Sequence, residues 1–188
     1  MKKVFILLCI AKFLSAEPVA AIIASVNNEP ITSLDILTLS QNMNISESEA
    51  LQALIQNKLC VALAKKFQLG VNSLEINEEL SKIAAKNNVS LDTFLNSYKD
   101  QVEILKENIK ESILKNKLFD LIAQNYSKDV SEEEMLRFYN LNKDKMNNND
   151  FDSVKNQIKS YLINVNAQEA IKTYMEKEEA KANIKILR

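Results

Sequence analysis

The sequence predicts a mainly α-helical protein with a small β element formed by an N-terminal hairpin and a C-terminal strand. Over most of the chain, apolar residues recur at intervals of three and four, which is the period of an amphipathic helix. One glycine and two prolines in 188 residues leave few positions that break helices. The β-branched runs at 22–26 and 184–187 are the exceptions. Each run is too short to be stable alone, so we expect the two to pair.

The first residues have the layout of a secretory signal peptide. Lys2 and Lys3 precede an apolar run, and Ser15 and Ala16 follow it as small residues. The run has about half of the roughly 18 to 20 apolar residues that span a bilayer, and no later segment is longer. We therefore expect cleavage after Ala16, a periplasmic location and no stable membrane insertion.

The expected mature chain begins with a strand and a turn. Asn27 and Asn28 separate the run 22–26 from a second short extended segment, which favours a hairpin. Thr32 or Ser33 then caps the first helix, because a hydroxyl oxygen there accepts a hydrogen bond from an exposed N–H group.

Local sequence signals mark where six further helices begin or end. Ser46 with Glu49 and Ser131 with Glu134 have the spacing of capping boxes, and Gly70 is expected to end the second helix. After the second helix, the predicted helices run from about 74 to 86, from 91 behind a Ser90 cap, from 102 to about 126, from behind Ser131, and from about 151 to 181. Residues 142–150, between the last two, are polar and asparagine-rich and predict a linker.

Composition argues against several classes of function. Histidine is absent, which removes the commonest general base and metal ligand, and one glycine is too few for a phosphate-binding loop. Acidic clusters such as 132–134 are the ordinary composition of helix starts and solvated faces. The net charge is −1 and the lysines are scattered among glutamates, unlike a nucleic-acid-binding surface. We expect no catalytic residue, cofactor, metal or nucleic-acid partner.

Cys60 is the one cysteine that would remain after cleavage, so no internal disulfide can form. It lies among apolar residues of a strongly helical segment. A buried structural thiol is therefore favoured over a reactive one.

Several segments resemble the SurA family of periplasmic chaperones and, more broadly, the SurA, PpiD and PrsA group. They are IIASVNNEPITSLDI (22–36), LIQNKLCVALAKKFQLGV (54–71), IAAKNNVSLDTFLNSY (83–98), IKESILKNKLF (109–119) and YMEKEEAKANIKIL (174–187). The resemblance covers nearly the whole expected mature chain. It implies a SurA-like helical chaperone domain that holds unfolded exported or outer-membrane proteins without ATP.

The resemblance also implies a division of residues 17–188. Residues 17–141 correspond to an N-terminal helical core, and 151–188 to a long helix and strand that close onto it. Family members carry one or two parvulin domains between these parts, where this chain has only residues 142–150. Parvulin activity depends on histidines and a glycine-rich domain, so isomerase activity is not implied.

Adaptable side chains are the natural candidates for contacting unfolded clients, because methionines and aromatic rings fit many shapes. The candidate client-binding residues are Met43, Phe94, Tyr98, Phe138 and Met146. Each is also explained by a place in the core. An adaptor or scaffold that binds one fixed periplasmic partner stays open as an alternative, as does weak self-association.

Overall fold

The computed structural model describes residues 20–146 and 150–187. The mainly α-helical class with a small β element is confirmed. The elements are β1 (Ile22–Val26), β2 (Glu29–Thr32), α1 (Ser33–Met43), α2 (Glu47–Lys66), α3 (Ser73–Lys86), α4 (Leu91–Tyr98), α5 (Val102–Tyr126), α6 (Glu132–Asn142), α7 (Phe151–Glu179) and β3 (Ile184–Ile186). Short 3₁₀ turns, Lys99–Gln101 and Lys143–Met146, follow α4 and α6. The predicted signal peptide lies outside the described residues, as do residues 147–149 of the predicted linker.

The two ends of the chain meet in one antiparallel sheet with the strand order β2-β1-β3. Asn27 and Asn28 have φ values of 50° and 72°, which allows the tight turn between β1 and β2. β3 pairs with β1, with Val26 opposite Ile184. The Asn27 backbone N–H donates to the Asn183 carbonyl, and the Asn183 N–H donates to Asn27 Oδ1, both at 3.0 Å. The predicted pairing of the terminal strands is therefore confirmed.

Local capping chemistry starts most of the helices. At four N-termini, the cap side chain accepts a backbone N–H while the acidic residue three positions later accepts the cap's own N–H. These pairs are Thr32 with Asp35, Ser46 with Glu49, Asn72 with Glu75, and Ser131 with Glu134. Both capping boxes predicted from the sequence are confirmed.

The end of α2 differs from the prediction that Gly70 stops the helix. The helix ends at Lys66, and Gln68 takes the left-handed conformation with φ of 56°. The Leu69 N–H donates to the Ala64 carbonyl at 2.9 Å, which satisfies a carbonyl of the last turn. Leu69 packs against the main core. This apolar contact favours the turn at Gln68, although a glycine would adopt its backbone conformation more easily.

Most of the buried residues in the described part of the chain fall into two separate clusters. The main cluster joins the sheet to α1, α2, α5 and the C-terminal part of α7, and it contains the buried Cys60. The second cluster joins α6 to the start of α7 and consists of Met135, Tyr139, Val154 and Ile158. With 29 residues, α7 is about 43 Å long, which lets one helix contribute to both clusters.

Within residues 20–146 and 150–187, no helix has both the length and the apolarity needed to cross a membrane.

Candidate functional site

The second cluster is built by two helices with strong start signals. Ser131 caps α6, and Asp150 Oδ1 accepts the Ser153 N–H at 3.0 Å to start α7. At the other end of α6, the Asn142 side-chain amide donates to the Phe138 carbonyl at 2.9 Å. These caps fix the residue at which each helix begins, and therefore which apolar residues of α6 face which of α7.

An apolar groove lies on the surface of this unit. It is about 400 Å³ in volume and lined by Phe138, Lys145, Met146, Val154, Gln157, Ile158 and Tyr161. We call it the α6–α7 groove. Val154 and Ile158 are buried in the second cluster and form its base, whereas the Tyr161 side chain is 53% exposed. The rings of Phe138 and Tyr161 lie 5.1 Å apart between centroids. The groove therefore offers aromatic and thioether surface to the solvent.

The apolar surface continues beyond the groove. Phe138 also lines a neighbouring depression of about 240 Å³, together with Leu141 and Leu162. Leu141 lies in the last turn of α6 and is 78% exposed. A leucine this exposed loses most of the free energy that burial would provide. The structure thus leaves apolar area uncovered on both sides of Phe138.

An ion pair links the start of α6 to α7. Lys155 of α7 donates to the Glu132 carboxylate, and this hydrogen bond raises the pKa of Lys155 and lowers the pKa of Glu132. The Lys155 ammonium group also lies 5.6 Å from the centre of the Phe151 ring. Both charged groups are exposed, so the pair orients the two helices more than it stabilises them.

The sequence-predicted site residues fall into three places. Phe138 and Met146 lie together in the α6–α7 groove. Phe94 and Tyr98 share α4, with ring centroids 5.2 Å apart, and Phe94 is half-buried while Tyr98 is exposed. Met43 is 63% exposed at the end of α1. The groove lining contains none of these last three, and their role in client binding stays a prediction.

Sequence reasoning did not select Val154, Ile158 and Tyr161 of the groove lining, nor Leu141 of the neighbouring depression. Val154, Ile158 and Tyr161 are spaced by four and three residues, so they share one face of α7. That spacing indicates the shared face. Whether this face extends past the end of the buried cluster depends on the length of α6, which the spacing does not indicate.

Comparison with solved structures shows the fold. Among the solved chains that match, one has a TM-score of 0.72 and 22% identity, and the match covers 89% of this chain and 99% of that chain. It comes from work on the virulence factor PEB4 and the periplasmic protein Cj1289, described as two structurally related SurA-like chaperones in the human pathogen Campylobacter jejuni. The fold of this chain is therefore SurA-like.

Two further comparisons found no relatives. No protein-family model matches the chain, and neither does any curated protein.

Proposed function

We propose that this protein is an ATP-independent periplasmic chaperone that binds unfolded exported or outer-membrane proteins through the α6–α7 groove. The observation that carries the proposal is the apolar groove lining, in which Tyr161 is exposed and Phe138 and Met146 are half-buried above a buried base. The SurA-like fold supports it, since the matched structure belongs to work on SurA-like chaperones.

The size of the surface suits reversible holding. If a client segment buries about 400 Å² of apolar area, the gross gain is roughly 10 kcal/mol. Association and ordering cost several kcal/mol, which leaves an affinity on the order of micromolar. A chaperone without a nucleotide cycle needs this range, because it must release its clients spontaneously.

The chemistry of the lining suits clients of varied sequence. Met146 has an unbranched, polarisable side chain, and Phe138 and Tyr161 present ring faces and edges. Lys145 and Gln157 at the rim can hydrogen-bond to client backbone without demanding a particular side chain. The surface thus favours apolar segments in general over one fixed partner.

The location and the lack of catalysis belong to the same proposal. Residues 1–16 act as a signal peptide that is removed during export to the periplasm. Residues 17–188 then act as one chaperone domain, in which 142–150 join the core to α7 where a family member would insert a parvulin domain. The protein holds clients and catalyses no reaction.

Light scattering tests the proposal. The protein without residues 1–16 is mixed at near-stoichiometric amounts, without ATP, with several unrelated denatured proteins as they are diluted from denaturant. We expect aggregation of each to be suppressed. An adaptor for one partner would leave most of them unaffected, and scattering unchanged for all of them would refute the chaperone proposal.

A further inference from the structure

A larger groove lies between the two clusters of the core. It is about 610 Å³ in volume and is bounded on one side by Tyr126, the last residue of α5, and Lys128, which follows the helix, and on the other by α7. The α7 side is formed by Asn166, Glu169, Ala170, Thr173, Tyr174, Lys177 and Glu178, and by Lys181 just after the helix. We call it the tyrosine groove. Its volume lies within the range of pockets that hold ligands the size of a few residues.

Aromatic rings form one wall of the tyrosine groove. The rings of Tyr126 and Tyr174 lie 4.9 Å apart, and Phe67 supports Tyr174 from the core side at 6.3 Å. Tyr126 is nevertheless 55% exposed. A further aromatic side chain can therefore pack against Tyr126 with the offset or tilted geometry that ring pairs prefer.

The charges around the groove are predominantly positive. Lys66 and Lys181 both contact the Glu178 carboxylate, at 3.3 and 2.6 Å, and that side chain is only 11% exposed. One carboxylate thus balances one of two cations there. Lys128, Lys177 and Lys181 line the groove together with Glu169 and Glu178, so three lysines against two glutamates give the lining a net charge of +1 in a chain of net charge −1.

The loop side of the groove is held in place by a hydrogen bond. The Asn166 side-chain amide donates to the Lys128 carbonyl at 3.1 Å, so the backbone after α5 is fixed against α7. The groove is therefore formed before any ligand binds, which lowers the entropic cost of binding.

We propose that the tyrosine groove is a second polypeptide-binding site, selective for extended segments in which an aromatic residue stands beside acidic residues. The aromatic residue packs on Tyr126, and the carboxylates accept hydrogen bonds from Lys128 and Lys177. The inference rests on the proposed function, because it assumes that the protein binds unfolded chains. It adds a preference that the apolar α6–α7 groove does not provide.

Fluorescence anisotropy with short labelled peptides tests the selectivity. Three peptides share one length and differ in side chains: one carries phenylalanine beside glutamates, one has the glutamates changed to lysines, and one has the phenylalanine changed to alanine. We expect the first to bind about tenfold more tightly than the second, the effect of two partly exposed charge pairs replaced by repulsion. Raising the salt concentration should reduce this difference.

Matched variants test whether the preference for the acidic aromatic peptide arises in the tyrosine groove. Lys128→Glu with Lys177→Glu should remove or reverse the preference for the acidic peptide, and Tyr126→Ser should remove the advantage of phenylalanine. Lys159→Glu with Lys172→Glu changes the net charge equally on exposed positions of α7 outside the groove and should leave the preference intact. If the double charge reversal unfolds the protein, Lys128→Gln with Lys177→Gln should still weaken the preference.

The outcomes separate this inference from the proposed function. Equal binding of the acidic and basic peptides, or a preference that survives the substitutions at Lys128 and Lys177, would overturn the second site even if aggregation is suppressed. A preference that is lost in the Lys128 and Lys177 variants and kept in the control supports the site, even if light scattering refutes general chaperone activity.

Discussion

Gln68 shows how a single residue can adopt an unfavourable backbone conformation. Its φ of 56° lies in the left-handed region, where an L-residue costs about 1–2 kcal/mol relative to its ordinary conformation. Gly70, two positions later, has no positive φ, and a Cβ added to it would meet nothing within 4 Å. The one glycine of the chain therefore lies two positions away from Gln68, where a glycine would adopt the left-handed conformation more easily.

Substitutions at Gln68 and Gly70 test whether the left-handed conformation of Gln68 is strained. Gln68→Gly should raise the free energy of unfolding by about 0.5–1 kcal/mol, because relief of the left-handed strain exceeds the entropy that glycine adds to the unfolded chain. Gly70→Ala is the matched control and should leave stability unchanged or slightly higher. Urea denaturation measures both. A destabilising Gln68→Gly substitution would contradict this account of the end of α2.

Glu178 is the residue with the clearest pH-dependent contribution. Hydrogen bonds from Lys181 and Lys66 lower the pKa of its carboxyl below the ordinary 4.5, against the opposing effect of burial. A carboxyl with a lowered pKa in the folded state stabilises the protein above its unfolded pKa, and this contribution is lost as the pH falls through the folded value.

We therefore predict that Glu178→Gln lowers the free energy of unfolding by up to about 1 kcal/mol at neutral pH, since both lysines are largely exposed. The difference from the parent protein should shrink below about pH 4.5 and vanish in stronger acid. Denaturant titrations across the pH range measure it. Glu176→Gln, on an exposed position of the same helix, is the control, and a difference independent of pH would rule out the ion pairs as its cause.

At the scale of elements, β3 closes the domain. It is three residues long and pairs only with β1 among the described strands, yet Ile184 contacts the main core and Asn183 bonds to the hairpin turn. Removing it would expose one edge of β1 and part of the surface on which α7 ends. A strand this short buries little area of its own, so it stabilises the fold mainly by connecting the two ends of the chain.

Deletion of residues 182–188 should accordingly cost several kcal/mol of a total stability of about 5–15 kcal/mol. We expect a much lower melting temperature or aggregation, followed by circular dichroism. Lys185→Thr, which keeps the strand and changes one exposed side chain, should melt close to the parent protein. A deletion variant with the full-length melting temperature and far-UV spectrum would contradict the closed domain.

The elements were largely predictable because their signals are local. Ser46 with Glu49 and Ser131 with Glu134 identify helix starts within four residues of sequence, and the structure uses both pairs. The end of α2 was not predictable in this way. We attribute it to the packing of Leu69 against the main core, which gathers residues from distant parts of the chain.

The candidate site was predictable only in part for the same reason. Residue type indicates which side chains are adaptable, and it selected Phe138 and Met146, which the fold brings into one groove. It selected Met43 equally, although the fold places it outside that groove. Which adaptable side chains share a surface depends on helix lengths and packing between elements, and no local pattern contains that information.

At the scale of the whole molecule, α7 connects the two clusters. Val154 and Ile158 belong to the second cluster and Met175 to the main one, while the middle of the helix buries no residue completely. Both proposed binding grooves lie along this helix. A client held by both would therefore extend along α7.

The whole chain should also lack prolyl isomerase activity. Histidine is absent, and in the division of the chain proposed above only residues 142–150 stand where a SurA family member carries a parvulin domain. We expect no acceleration of cis-trans exchange in a proline-peptide assay, with a parvulin as the positive control. A catalysed rate that scales with protein concentration would show that the non-enzymatic interpretation is wrong.

The most direct test of the central claim measures how tightly an unfolded client binds when the α6–α7 surface is made polar. Tyr161→Ser removes an exposed side chain of the groove lining, and Leu141→Ser, combined with it, removes one of the neighbouring depression beside Phe138. Leu74→Ser with Ile104→Ser removes two exposed apolar side chains elsewhere. Fluorescence anisotropy with a labelled, permanently unfolded client gives the dissociation constants. We predict that the first pair weakens binding roughly thirtyfold and the second leaves it unchanged, since each interface contact contributes roughly 1 kcal/mol and tenfold in affinity corresponds to about 1.4 kcal/mol. Equal affinity of the two double variants would contradict the claim that this groove holds clients.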